Sequence, residues 1–205
     1  MANEDVLLQA TAYTMLEVLL ATIIATTAGF ATAVLIAMVP ALRRMIFPYI
    51  LMTQVVPKVA LAPILIAWFG IGMQSRLVLA FLIAYFPMVI NSLTGILGTG
   101  ELSLQYARSL AASELQVLSK VRLPAALPAI MGGVKITAGV AVIGIIVGEF
   151  VASDEGLGKI IIESLASLDT SLTVAATLAV GCLGLLLLAV LEVIDNRVVY
   201  WRAGQ

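Results

Sequence analysis

Long apolar stretches separated by short polar ones make up most of the chain. A hydrocarbon core about 30 Å thick takes about 20 helical residues to cross, so runs of this length between charges and prolines indicate membrane spans. Five such runs predict transmembrane helices at about residues 13–39, 49–70, 77–97, 129–151 and 172–194. The second is the least regular because Pro57 and Pro63 each remove a backbone donor and kink or interrupt a helix. The pattern predicts an all-α integral membrane fold.

Two longer polar stretches, residues 99–128 and 153–171, connect the third, fourth and fifth predicted helices. In the second, a Gly-x-Gly turn precedes an apolar run at residues 160–162, which predicts either a short interfacial or re-entrant helix or a plain loop. No internal repeat or low-complexity linker divides the sequence. We therefore predict a single transmembrane domain over residues 1–205.

Composition supports a membrane protein and excludes several kinds of site. The 205 residues are 62% hydrophobic and 11% charged, against about 45–50% apolar and about 25% charged residues in soluble domains. The net charge of −1 gives no indication of a nucleic-acid partner. Because the chain has no histidine and one cysteine, Cys182, it can form neither an intrachain disulfide nor a Cys/His metal site. We expect no catalytic residues, since the spans show no polar dyad at catalytic spacing.

The distribution of basic residues predicts the orientation of the chain. Cytoplasmic loops of membrane proteins are enriched in Lys and Arg. An arrangement with the N-terminus outside and the C-terminus inside puts seven of the 11 basic residues on the cytoplasmic side, namely Arg43, Arg44, Arg108, Lys120, Arg122, Arg197 and Arg202. The same arrangement puts Arg76 and an excess of acidic residues on the outer side. The chain is expected to insert as a multi-pass membrane protein.

The polar stretch at residues 99–128 contains an amphipathic pattern. Apolar residues recur at spacings of three and four, which predicts one face of a helix formed by Leu104, Ala107, Ala111, Leu115 and Leu118. Pro124 and Pro128 are expected to bound the turn into the fourth transmembrane helix. Such a helix could dock on a partner protein or lie on the membrane surface.

The same stretch resembles the EAA signature of ABC importer permeases. That signature reads Glu-Ala-Ala, three residues, Gly, nine residues, then Ile-x-Leu-Pro. Ala107, Leu123 and Pro124 match it, whereas four positions depart from it: Gln105 stands for Glu, Tyr106 for Ala, Ala111 for Gly and Val121 for Ile. The segments at 57–72, 81–96, 107–113 and 121–150, and the following DEGLGKII, are similar to permeases of nitrate, sulfonate, taurine and pyrimidine-precursor importers.

The resemblance implies a subunit of a type I, binding-protein-dependent ABC importer, and with it a multi-pass location in the inner membrane of a prokaryote. Residues 99–128 would form a coupling helix that contacts a cytoplasmic ATPase dimer through Gln105, Tyr106, Ala107, Arg108, Ala111, Ala112, Val121, Leu123 and Pro124. ATP and Mg²⁺ are expected on that separate ATPase, because this chain has no P-loop. The chain itself is therefore expected to be a transport subunit and not an enzyme.

Further partners are implied in the same way. They are a second copy of the permease or a homologous one, an extracytoplasmic substrate-binding protein and the lipid bilayer. The substrate stays open between nitrate, a sulfonate such as taurine, and a vitamin precursor. Full-length relatives often carry an additional N-terminal helix, so the chain is expected to be either a minimal five-helix core or a truncated form.

Ionisable and polar residues inside the predicted spans are candidates for the translocation path. Lys58 and Glu149 could line the path or form a gating ion pair, or else form a structural pair, and Glu17 and Lys135 are also ionisable. Gln54 and Asn91 could lie on the path or make interhelical hydrogen bonds. A channel or accessory membrane scaffold without ATP coupling is the alternative function.

Overall fold

The computed structural model describes residues 2–201, so Arg202 lies outside the described residues. Within that range the structure contains no β-strand, which confirms the all-α fold class. The α-helices are α1 (Ala2–Met38), α2 (Pro40–Met52), α3 (Ala62–Phe69), α4 (Met73–Leu97), α5 (Glu101–Ser109), α6 (Glu114–Val117), α7 (Leu123–Ala152), α8 (Leu157–Ala166) and α9 (Thr170–Val198). A 3₁₀ turn at Lys58–Leu61 precedes α3, and a π turn at Leu118–Arg122 joins α6 to α7.

Among the described residues, four helices are long and apolar enough to cross a membrane: Asp5–Met38, Met73–Leu97, Glu114–Val151 and Thr170–Val198. They correspond to the first, third, fourth and fifth predicted spans. The second predicted span, 49–70, is divided between the end of α2, the 3₁₀ turn and α3. Pro57 lies in the break and Pro63 at the start of α3, where a missing backbone N–H does no harm. The eight residues of α3 extend only about 12 Å.

The fourth span begins earlier than the sequence pattern predicts. Pro124 and Pro128 were expected to bound a turn, but both lie within a continuous helical stretch. The π turn before Pro124 explains how the helix continues, because Leu123 donates its backbone N–H to the carbonyl of Leu118, five residues back. This wider turn gives the proline ring space that a regular α-helical turn denies it.

The chain divides into two compact units. The first comprises the residues up to Ala25, Pro57–Ala84 and Thr137–Val190. Its apolar core contains Ala62, Leu65 and Leu79. Gly144 of α7 lies against Ala80 of α4, where an added Cβ would come within 2.7 Å of the Ala80 Cα. The small residues at this contact allow the two helices to approach closely.

The second unit comprises Thr26–Val56, Tyr85–Ile136 and the residues from Leu191 onward. Its core joins the C-terminal part of α1 to α4 and the first turns of α7, and includes Ile36, Met88, Val89, Leu93, Ile96 and Ile130. Tyr85 donates a hydrogen bond from its hydroxyl to Thr32 Oγ1 at 2.8 Å within this core. The unit carries the polar stretch at 99–128, which this core holds against α1 and α4.

Candidate functional site

The predicted coupling helix is two short helices with a tight turn between them. The expectation of one continuous amphipathic face is wrong, because α5 ends at Ser109 and α6 begins at Glu114. Ala112 donates its backbone N–H to the Ala107 carbonyl at 3.2 Å, and Ala111 donates to Arg108 at 2.9 Å. These two bonds form a Schellman motif, in which the residue after the C-cap takes the left-handed conformation. That residue is Ala111, with φ of 55°.

The position of Ala111 explains the glycine in the EAA signature. A residue with a Cβ in the left-handed region costs about 1–2 kcal/mol relative to the right-handed helix, whereas glycine adopts it freely. The departure from the signature therefore leaves the turn intact but strained. The structure thus identifies the backbone dihedral as the reason for glycine at this position.

The second helix of the segment has a complete N-terminal cap. Ser113 Oγ accepts the backbone N–H of Gln116, and Gln116 Oε1 accepts the backbone N–H of Ser113 at 2.9 Å. This capping box satisfies two donors that the helix end leaves without intrahelical partners. Arg108 also pairs with Glu114 across the turn at 3.5 Å, with both side chains more than half exposed. Hydrogen bonds at the end of α5 and at the start of α6 thus both hold the turn between these helices.

An open groove of about 590 Å³ follows this segment, and we call it the coupling groove. Its lining is largely apolar and comprises Leu102, Ser103, Tyr106, Ala107, Leu110, Ala112, Gln116, Lys120 and Val121. Leu102, Tyr106 and Leu110 are 82%, 69% and 65% exposed. Large apolar side chains clustered this way on a polar segment are typical of a surface that contacts a protein or a membrane.

Four of the nine predicted coupling residues line this groove, namely Tyr106, Ala107, Ala112 and Val121. The other five, Gln105, Arg108, Ala111, Leu123 and Pro124, lie on the same segment outside its lining. Sequence reasoning missed Leu102 and Leu110, because we assumed one helix and placed its apolar face elsewhere. Leu102, Tyr106 and Leu110 recur every four residues and form a separate apolar row on the segment.

A buried ion pair lies in the first unit. Arg76 donates from Nε to Glu17 Oε2 at 2.9 Å and from a terminal nitrogen to the Tyr13 hydroxyl at 3.1 Å. Both charged side chains are almost completely buried. Charge counting put Arg76 on the outer side of the membrane, which stays a prediction; the structure shows that its guanidinium is buried in the protein and neutralised by Glu17. Glu17 was recognised in the sequence as an ionisable residue inside a span, but its partner was not.

Glu149 binds the N-terminus of α8. Its carboxylate accepts hydrogen bonds from Thr14 Oγ1 at 2.8 Å and from the backbone N–H of Gly158 at 2.7 Å. Thr14 Oγ1 in turn accepts the N–H of Leu157 at 2.9 Å. The N-cap position of α8 is Gly156, which has no side chain to offer. Residues of α7 and α1 therefore satisfy the first amide groups of α8 in place of a local cap.

The Gly-x-Gly pattern at residues 156–158 allows this contact. Gly156 has φ of 102°, a conformation that side chains rarely adopt. A Cβ added to Gly158 would lie 2.6 Å from Glu149 Cβ. The polar stretch at residues 153–171 thus contains a turn followed by a helix, α8, and of the two predicted alternatives, helix or plain loop, the helix is correct.

The remaining polar candidates are dispersed. Lys58 is half-buried at the start of the 3₁₀ turn, and Gln54 is exposed in the break after α2. Asn91 is half-buried in α4 and donates to the Pro87 carbonyl at 2.8 Å within the same helix. The bonds described for Glu149 go to Thr14 and Gly158, so an ion pair between Lys58 and Glu149 stays a prediction.

Lys135, the other ionisable residue noted in the fourth span, belongs to the second unit. It makes ion pairs from α7 with Glu192 and Asp195 of α9. Asp195 is buried and Glu192 is more than half exposed. The pairs join two helices of the same unit and satisfy an ammonium group that hydrocarbon would otherwise disfavour. Within residues 2–201, no group of three or more His, Cys, Asp or Glu side chains is placed to hold a metal ion.

Comparison with known proteins decides the family. Residues 9–200 match the model of the family described as "Binding-protein-dependent transport system inner membrane component". The chain belongs to this family. The permease is 36% identical to a probable ABC transporter permease protein of Haemophilus influenzae, over 97% of this chain and 81% of that protein. The resemblance found in the sequence is confirmed, as is a multi-pass location in the inner membrane.

Other relatives of the permease have names that state a substrate. It is 33% identical to the riboflavin transport system permease protein RibX of Chloroflexus aurantiacus over 80% of this chain, and spans 61% of that protein. It is 30% identical to the taurine transport system permease protein TauC of Escherichia coli, over 93% of this chain and 70% of the relative. The permease thus spans between about three fifths and four fifths of these relatives.

A solved structure shares the fold. A chain of the MetNI methionine ABC transporter, solved in inward-facing conformations, superimposes with a TM-score of 0.76 at 21% identity, covering 90% of the permease and 94% of that chain. At this identity the match shows the fold alone.

Proposed function

We propose that this permease is the membrane-spanning subunit of an ATP-driven importer, and that a separate ATPase docks in the coupling groove. The observation that carries the proposal is the groove itself, in which Leu102, Tyr106 and Leu110 are exposed side by side. Three large apolar side chains exposed side by side in a polar segment are unfavourable in water, and a docked ATPase would bury them.

The segment is built to move as one body. The Schellman turn at Ala111 and the capping box at Ser113 fix α5 against α6. From α6 the chain continues through the π turn into α7 as one helical stretch, Glu114–Val151. A displacement of the groove by a closing ATPase dimer would therefore be transmitted directly along α7. This is the mechanical step that alternating access requires.

The orientation follows from the same proposal. An ATPase in the cytoplasm requires the coupling groove inside, which puts the N-terminus and α8 outside and the end of α9 inside. The basic residues favour this arrangement. An extracytoplasmic binding protein would then deliver substrate to the outer side, and a second permease, identical or homologous, would complete the pathway. ATP and Mg²⁺ would be bound by the ATPase.

The relatives bound the class of substrate without selecting one. Their names include taurine, aliphatic sulfonates, riboflavin and formylaminopyrimidine. We propose a small solute of this kind, namely a sulfonate such as taurine, nitrate or a vitamin precursor. In such systems the binding protein is expected to set most of the specificity.

The test is co-purification of an ATPase on the tagged permease from membranes in which both are expressed. Tyr106→Asp and Leu110→Asp put a charge into the groove and are expected to abolish co-purification and substrate-stimulated ATP hydrolysis. Leu168→Asp is the matched control, since Leu168 is 87% exposed and lies outside the coupling segment. Normal ATPase binding by both groove variants would refute the docking site. A permease that conducts solute without any ATPase would instead support the channel alternative.

A further inference from the structure

A second pocket of about 410 Å³ lies in the same unit as the coupling groove and shares none of its lining residues. Its walls combine the guanidinium groups of Arg43, Arg108 and Arg122 with apolar side chains that include Met38 and Leu97. We name it the arginine pocket. Because the two sites use different side chains, occupation of one leaves the other open.

The charges of the arginine pocket are unbalanced. Three arginines face one acidic residue, Glu114. Glu114 is 3.5 Å from Arg108, and both side chains are more than half exposed, so this pair is weak and well screened. Two positive charges are left over, and they favour an anionic ligand.

The side chain of Arg122 gives a more specific indication of the ligand's chemistry. Its Nε is buried, and among the described residues no atom accepts a hydrogen bond from it. A buried charged donor without an acceptor is unfavourable, so native proteins rarely leave one unsatisfied. An oxygen of a phosphate group in the pocket would supply the missing acceptor. Guanidinium groups suit phosphate because they offer paired donors in a planar fork.

The position of the pocket identifies the source of the phosphate. Met38 is the last residue of the candidate span Asp5–Met38, and Leu97 is the last residue of the candidate span Met73–Leu97. The pocket therefore lies at the end of two helices that are each long and apolar enough to cross the membrane, and lipid headgroups flank the hydrocarbon core at the ends of such helices. Its apolar wall suits the glycerol and first methylenes of a lipid better than free phosphate. Basic pockets between helices at this depth are typical sites for anionic headgroups.

We propose that the arginine pocket binds the phosphodiester headgroup of an anionic phospholipid. Arg43 and Arg122 contact the phosphate oxygens from α2 and from the π turn, and the apolar wall accommodates the glycerol. Because the pocket joins the end of α1 to α5 and α6, the bound lipid holds the coupling segment against the membrane. This inference does not depend on the transported solute or on ATP coupling.

Native mass spectrometry of the full chain in detergent, with equal amounts of phosphatidylglycerol and phosphatidylcholine, tests the proposal. The wild type is expected to retain phosphatidylglycerol in excess. Arg43→Gln is expected to weaken that preference about fivefold, and Arg43→Gln/Arg122→Gln by about fivefold again, since one basic group near a headgroup contributes about 1 kcal/mol. Arg43 is exposed, so its single variant is expected to fold normally.

Arg44→Gln is the matched control, because Arg44 is adjacent to Arg43 and exposed but does not line the pocket. An equal loss in Arg44→Gln would show general surface attraction and overturn the proposal. An unchanged preference in both Arg43→Gln and the double variant would also overturn it. Complete displacement of the lipid by an excess of inorganic phosphate would identify free phosphate as the ligand instead.

Discussion

The backbone N–H of Gly158 donates a hydrogen bond to Glu149 Oε2 at 2.7 Å, and Glu149 is only 1% exposed. A carboxylate at the end of one helix thus caps the start of the next, across a turn that ends at Gly156. Sequence reasoning had considered Glu149 for the translocation path. In the structure its described bonds hold α7, α8 and Thr14 of α1 together.

Replacement of Glu149 is therefore expected to loosen α8. Glu149→Ala leaves the Gly158 N–H and the Thr14 hydroxyl without their acceptor, at about 1–3 kcal/mol each. Glu149→Gln keeps one acceptor oxygen and should lose less. The measurements are the thermal midpoint in detergent and hydrogen exchange at residues 157–160. Glu155→Gln, an exposed neighbour, is the control, and equal protection of α8 in Glu149→Ala and the wild type would contradict the capping role.

Loss of one partner of the Glu17–Arg76 pair is expected to be severe. Arg76→Met leaves Glu17 buried without its counter-ion, which destabilises proteins by about 3–5 kcal/mol. Glu17→Gln/Arg76→Met removes both charges and should recover most of the loss, so a double-mutant cycle should show strong coupling. Glu163→Gln is the comparison, since its pair with Lys159 is exposed and should contribute at most about 1 kcal/mol. Additive effects at Glu17 and Arg76 would argue against the pair.

The strained turn of the coupling segment can be relieved. Ala111→Gly restores the residue of the EAA signature at a φ of 55° and should stabilise the turn by about 1 kcal/mol. Hydrogen exchange of the Ala111 and Ala112 amides should slow about fivefold. Ala112→Gly, one residue further on and without a positive φ, should have the opposite effect because it only adds flexibility. Faster exchange in Ala111→Gly would show that the left-handed conformation is not the reason for the glycine.

Close packing between α4 and α7 is expected to depend on Gly144. In Gly144→Ala the new Cβ would meet the backbone of Ala80 at 2.7 Å. Backbone cannot move aside as a flexible side chain can, so a loss of about 1–3 kcal/mol is expected, seen as a lower thermal midpoint. Gly139→Ala on the same helix is the control, because a Cβ there meets nothing within 4 Å among the described residues. A similar midpoint for both variants would refute tight packing at Gly144.

Hydrophobic pattern predicted four of the five spans, because crossing a hydrocarbon core demands about 20 apolar residues whatever they pack against. The second predicted span was wrong in detail. Pro57 and Pro63 showed where regular helix would fail, but only the fold shows that the apolar residues between Pro57 and Gly70 pack as a short helix against α4.

The spacing of a motif located the coupling segment in the sequence, but it did not predict the shape of the segment. One helical face fits the spacing of Leu104, Ala107, Ala111, Leu115 and Leu118. That spacing does not reveal the turn that interrupts the helix between them. The turn between α5 and α6 depends on the dihedral angle of Ala111. Alanine has good helix propensity, so its neighbours impose this conformation. The arginine pocket depends equally on residues far apart in sequence.

The sequence by itself determined that this protein is a helical membrane protein, because that follows from local composition, and its resemblance to the EAA signature indicated a permease. Only the tertiary structure decided the partners of the buried charges. Arg76 lies 59 residues from Glu17, and Glu149 lies 135 residues from Thr14. Electrostatic pairing depends on distance in space, and a single sequence records only distance along the chain.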